Sequence, residues 1–178
     1  DTMLGTRAGG GLNVPHLLAH EMFHHWNGGV AEMDEPEQLV YWFSEGFTDF
    51  YARRILFRAG YGGAAEAARS LNETLKEYGL SPAREAPNEK IREGFWKDRD
   101  LGKLPYLRGN LVAVMLDHEI RARSKGARSV DDFVREVVAA GRKAARLSTD
   151  SLLFRIAAWT DEAFASKIRS IVVDGAPI

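Results

Sequence analysis

The chain has 178 residues, a formal net charge of −1, 45% hydrophobic and 28% charged residues, and no cysteine. This composition supports a buried core without a covalent staple, excludes disulfides and thiol chemistry, and gives no electrostatic reason to expect nucleic acid as a partner. No apolar run approaches the roughly 20 residues that span a bilayer, so no membrane segment is expected, and no signal peptide is visible.

Residues 2–13 show no helical period and can hold a short strand. Within them, Gly9-Gly10-Gly11 lacks the Gly-Lys-Ser/Thr ending of a phosphate loop and reads as a turn. From Val14 to Trp26, Leu17, Leu18, Phe23 and Trp26 recur at helical spacing, with Pro15 suited to a first turn and Gly28-Gly29 to a stop. The next helix is expected from Pro36 or Glu37 to about Ala59, with Gly60 as its cap. Leu39, Phe43, Phe47 and Phe50 share one side of it, while Glu45 and Asp49 fall nearly opposite.

Ala64 to Tyr78 reads as a helix that stops at Gly79. The 80–103 stretch, rich in Pro, Gly and charge, reads as a loop with one helical turn that can line a cleft. Leu107, Leu111, Val114 and Ala122 mark a long helix ending near Gly126. Ser129 can cap a helix to about Ala140, Asp150 or a neighbour one to Ala158, and Thr160 a last one to about Val172. With no repeat and no low-complexity tract, residues 1–178 are expected to form one mainly α, multi-helix domain with little or no β-structure.

Two of these helices carry chemistry. His20-Glu21-Met22-Phe23-His24 is an H-E-x-x-H, and on a helix two histidines four apart can aim imidazole nitrogens at one metal ion about 2.0–2.1 Å away. Glu21 is displaced around the helix, where its carboxylate can take a proton from a metal-activated water. Glu45 can complete a His-His-Glu set with the fourth position left for water, and Asp49, one turn on, can accept the N–H of a ligand histidine. Two imidazoles and a carboxylate suit zinc, with cobalt, nickel, copper or iron(II) as other metals that can bind such a set. The bland readings are two surface histidines, and carboxylates paired with Arg53 or solvent.

Three segments then resemble one known family. His20-Glu21-Met22-Phe23-His24-His25-Trp26-Asn27, Trp42-Phe43-Ser44-Glu45-Gly46-Phe47-Thr48-Asp49-Phe50-Tyr51 and Leu104-Pro105-Tyr106-Leu107-Arg108-Gly109 are similar, in order and spacing, to the glycyl aminopeptidases among the gluzincin zinc metallopeptidases. The tail, with Ser129-Val130-Asp131-Asp132-Phe133 and Gly175-Ala176-Pro177-Ile178, resembles the end of that family's helical domain. The resemblance implies a thermolysin-like helical catalytic domain, zinc on His20, His24 and Glu45, and Glu21 as the proton-transferring group. It gives Tyr106 the role of donor to the oxyanion, with Arg108 where relatives have lysine. It further implies a peptide or protein substrate, and a chain that is a portion of a longer one with an upstream β-rich region and a PDZ-type domain. Free α-amino recognition, which an aminopeptidase needs, has no recognisable motif in this sequence. The competing readings are a non-catalytic zinc- or peptide-binding domain, against which the intact Glu21 argues, and a helical interaction module without metal.

Outside these motifs, His16 falls near the His20 face and can touch substrate or solvent, whereas His25 points about 140° away and reads as structural. His118 has apolar neighbours and reads as a partly buried, satisfied histidine. Arg121, Arg123, Lys125 and Arg128 read as a solvated helix end that complements the dipole.

Overall fold

The computed structural model describes residues 14–34, 36–143 and 146–178, so the strand and glycine turn expected within residues 2–13 lie outside the described residues. Among the described residues there are nine α-helices and a short closing π-helix. Their only β-features are two isolated bridges, Asn27 with Ala31 and Met33 with Leu147. The mainly α expectation is thus met, and no helix among the described residues is long and apolar enough to cross a membrane.

The first helix, α1 (Val14–His24), holds the H-E-x-x-H. The helix expected over 36–59 is in fact two, α2 (Glu37–Ser44) and α3 (Gly46–Arg58), broken at Glu45. The reason is a side-chain intrusion into the backbone ladder, a known cause of kinks. Asn27 Nδ2 donates to the carbonyls of Phe43 (3.0 Å) and Ser44 (3.2 Å), and Thr48 Oγ1 donates to the Ser44 carbonyl as well. The Phe43 and Ser44 carbonyls thus accept from Asn27, which lies beyond α1, and the Ser44 carbonyl also from Thr48 within α3.

Next comes α4 (Ala64–Leu80), slightly longer than expected because Gly79 stays helical. The 80–103 stretch is less loop-like than its composition suggested: it contains α5 (Asn88–Gly94) and the start of α6 (Arg99–Arg123). Asp98 starts α6 by accepting from the N–H groups of Asp100 and Leu101, so Pro105 sits inside a helix that had been expected to begin after it. Burial of Leu101 and Leu104 on the same stretch offsets the cost of that proline. Ile91 and Phe95 enter the core as well, so this region packs as structure instead of looping free.

The C-terminal helices follow their caps. Ser129 and Asp132 form a capping box for α7 (Val130–Gly141), and Ser148 with Ser151 does the same for α8 (Thr149–Trp159). Asp161, not Thr160, caps α9 (Glu162–Arg169), because its carboxylate accepts from Phe164 N–H at 2.8 Å; a π-helix, Ser170–Asp174, follows.

Two apolar clusters hold these elements. The larger joins α1, α2 and α3 to α6 through α9, around Trp42, Phe43, Phe47, Leu116, Phe133 and Ile168. The smaller packs Tyr78, Ile91, Phe95, Leu104 and Leu111. Helix α3 lies at the centre, against α1, α4 and α6. Its contact with α6 depends on paired glycines: a Cβ on Gly46 would sit 2.4 Å from Gly109 Cα, and one on Gly109 would sit 1.8 Å from the Trp42 carbonyl oxygen. This close approach brings the Tyr106 turn of α6 beside α1 and the Glu45 break.

Candidate metal centre

His20 and His24 lie one turn apart on α1, so both rings project from the face that packs on α3. His20 is 2% exposed, whereas His24 and Glu45 are half-buried. His24 Nε2 is 3.0 Å from His20 Nε2, His20 Nε2 is 3.2 Å from Glu45 Oε2, and His24 Nε2 is 3.3 Å from the same oxygen. Three ligand atoms therefore form a nearly equilateral triangle.

The other ring nitrogens define what those three atoms are. His20 Nδ1 lies 3.1 Å from Asp49 Oδ1, and His24 Nδ1 lies 3.1 Å from the Asn27 carbonyl; both partners only accept, so each Nδ1 carries the proton. In the neutral tautomers both Nε2 atoms then present lone pairs to each other and to a carboxylate oxygen. In that state three acceptors converge on one point, which a proton or a metal cation between them would satisfy. Tetrahedral bonds of about 2.0–2.1 Å have edges of about 3.3–3.4 Å, close to the observed separations, so the set fits zinc.

Charge in the cluster points the same way. Burial alone would lower the His20 pKa, but hydrogen bonds to Asp49 and Glu45, with their negative field, raise it to about 9. His24 is also raised, against burial, by Glu45 and the Asn27 carbonyl. Burial would raise Glu45, yet its bonds to the two histidines hold it down at about 2, and Asp49 is held low against strong desolvation by His16 and His20. The two carboxylates make this a site that holds positive charge, whether as protons or as a metal ion.

Around the triangle, Glu21 is exposed on α1 next to His20. Tyr106 is stacked on the His20 ring, with centroids 6.1 Å apart and planes 24° from parallel. Burial, followed by the Glu45 carboxylate, pushes the Tyr106 phenol well above its ordinary pKa, so it stays a protonated donor at neutral pH. It is partly buried inside α6. Arg108 does not take part. It is 1% exposed and donates to the carbonyls of Arg84 (3.0 Å) and Ala86 (2.8 Å), tying α6 to the segment before α5.

The remaining candidates separate clearly. His16 is drawn not toward solvent but to Asp49, with Nε2 3.0 Å from Oδ1. His16, His20 and Asp49 thus form a second group with metal-ligand atoms close together. Arg53 does not form an ion pair with Asp49 among the described residues; its guanidinium meets Asn110 and, at 3.5 Å, Thr74. His25 is exposed, edge-on to Trp26, and His118 is exposed instead of partly buried because it lies on the outer face of α6. Arg121 and Arg123 pair along α6 with Asp117 and Glu119, and Arg128 lies over the Trp159 ring.

Sequence reasoning overlooked Asn27. Its backbone carbonyl fixes the His24 tautomer and its 1%-exposed side chain makes the break that turns Glu45 toward the histidines. An asparagine before Gly28-Gly29 reads as a turn residue, which concealed both roles.

Helical packing thus brings two histidines and a glutamate together as a group that could hold a metal ion. A family model described as M61 glycyl aminopeptidase matches residues 13–91, which supports the resemblance read from the first two motifs. Peptidases of this family are hydrolases and generally metallopeptidases. The matched stretch contains His20, Glu21, His24, Glu45 and Asp49, while Tyr106 lies beyond it. No curated protein matches the chain.

Proposed function

We propose that this chain is the helical catalytic region of a zinc-dependent peptidase, aminopeptidase-like, with zinc held by His20, His24 and Glu45. The single observation that carries the reading is the triangle of His20 Nε2, His24 Nε2 and Glu45 Oε2, at 3.0, 3.2 and 3.3 Å from one another. A zinc ion held there would supply a Lewis acid that lowers the pKa of a water at its open position toward 7 and polarises the scissile carbonyl.

The chain's own residues do the rest. Glu21, adjacent to a ligand yet exposed, accepts the proton of the attacking water and returns it to the leaving amine. Tyr106, kept protonated, donates its O–H to the carbonyl oxygen as negative charge develops there. Asp49 accepts from His20 Nδ1 and so holds that ring with Nε2 directed at the ligand set. The substrate is a peptide.

Glu21→Gln tests this directly. The variant should bind zinc as the wild type does and lose peptide hydrolysis; hydrolysis at the wild-type rate would show that Glu21 is not the base, whereas a zinc-loaded wild type that hydrolyses no peptide would make the non-catalytic binding domain the better reading.

A further inference from the structure

His16 belongs to no motif that the peptidase reading uses, yet it is built into the centre. It lies one turn before His20 on α1, and its Nε2 donates to Asp49 Oδ1 at 3.0 Å. That same oxygen accepts from His20 Nδ1 at 3.1 Å. One carboxylate oxygen therefore sits between two imidazoles of one helix, while Asp49 itself belongs to the packed helix α3.

Consider what holds Asp49 in place. Arg53, one turn later on α3, is directed to Asn110 and Thr74, so it does not anchor the carboxylate. The backbone N–H of Asp49 is used in the helix, bonding to the Glu45 carbonyl. Among the described residues, His16 and His20 are the side chains that hydrogen-bond to the carboxylate. Without His16, the carboxylate could turn about its last side-chain torsions, which are soft. His20 Nδ1 would keep an acceptor, but not one fixed in direction.

Resting on the zinc-peptidase reading, we infer that His16 is a positioning residue: it clamps Asp49 Oδ1 so that Asp49 in turn orients the His20 ring toward the metal. The relay runs from His16 through Asp49 to His20, and every link is a hydrogen bond with donor and acceptor assigned. A second metal ion on His16, His20 and Asp49 is the competing use of the same atoms. It would need His20 to give up the Nδ1 proton that its contact with Asp49 employs, so the relay is favoured.

The test uses the full chain as wild type, His16→Ala, His16→Gln and Asp49→Asn. Zinc stoichiometry and dissociation constant would be read by competition with a chromogenic chelator, and the urea midpoint of each metal-free protein recorded alongside. The relay predicts one zinc per chain throughout and an affinity about 10- to 100-fold weaker for Asp49→Asn, the usual range for loss of a partner behind a ligand. His16→Ala should be weaker by about three- to tenfold, the smaller loss expected one bond further out. His16→Gln, whose amide can donate to Asp49, should recover most of that loss, and the metal-free urea midpoints of the two His16 variants should agree.

Wild-type affinity in His16→Ala would overturn the inference while leaving the zinc site intact. Equal weakness of His16→Ala and His16→Gln with equally lowered urea midpoints would reduce His16 to a packing role. Two zinc ions in the wild type and one in His16→Ala would make it a ligand. A wild type that binds no zinc would remove the peptidase reading and this inference together.

Discussion

Asn27 reaches across from the end of α1 to hold the carbonyl of Phe43 at 3.0 Å, and in doing so sets the break from which Glu45 meets His20 and His24. The same residue's carbonyl accepts from His24 Nδ1. One asparagine thus registers two of the three proposed ligands against each other.

Asn27→Ala should lower stability by about 1–3 kcal/mol, since the Phe43 and Ser44 carbonyls lose a buried donor. Zinc retention should fall with it, because the backbone that carries Glu45 loses the donor that registers it against the end of α1. Urea unfolding with parallel zinc analysis checks both; a variant of unchanged stability and zinc content would deny Asn27 this role.

Gly109→Ala places a methyl where the Trp42 carbonyl oxygen now lies, so α6 must move off α2 and α3. A loss of about 1–3 kcal/mol or more is expected from such overpacking. As Tyr106 rides on the same helix, residual hydrolysis should drop further than folded fraction alone explains. Thermal unfolding set beside activity per folded molecule separates these effects.

Tyr106→Phe keeps the ring that stacks on His20 and removes only the O–H. Zinc content should be unchanged and hydrolysis should fall by about 10²- to 10³-fold, the usual cost of one donor to a developing oxyanion. Steady-state assays at matched zinc loading decide it, and a rate within twofold of wild type would return Tyr106 to a packing role.

Acid should loosen α7 from α3 and α6, because Asp131 is bound to Tyr51, Arg54 and Arg58 of α3 and Asp117 accepts from the Val130 N–H. Burial would raise Asp117 and Asp131, but Arg121, Arg54 and the Val130 N–H hold Asp117 low, and Arg58, Arg54 and Tyr51 hold Asp131 low. The unfolded carboxylates therefore take up protons first as pH falls, so the stability these groups contribute is complete above about pH 4 and is lost below it. Urea midpoints of wild type and Asp131→Asn should differ at pH 6 and converge toward pH 3; a constant gap would contradict the pairing.

Much of this was legible in the residues because local rules carried it. The i,i+4 spacing of His20 and His24, the placement of Glu45 and Asp49 opposite Phe43, Phe47 and Phe50, and the cap at Ser129 all follow from helix periodicity and capping. The break at Glu45 was not legible, since its cause is Asn27, eighteen residues upstream and reading as a turn. Pro105 hid the first turns of α6 in the same way: a propensity penalty was visible, whereas the burial of Leu101 and Leu104 that outweighs it depends on tertiary packing. His118 was misjudged because apolar neighbours in sequence lie on other faces of a helix.

The central claim is that His20, His24 and Glu45 hold one zinc ion, and metal content tests it most directly. Inductively coupled plasma mass spectrometry on untagged protein, after zinc loading and exhaustive buffer exchange, should give close to one zinc per wild-type chain and almost none for His20→Ala or Glu45→Ala. Zinc absent from the wild type, or retained equally by the three proteins, would contradict the account.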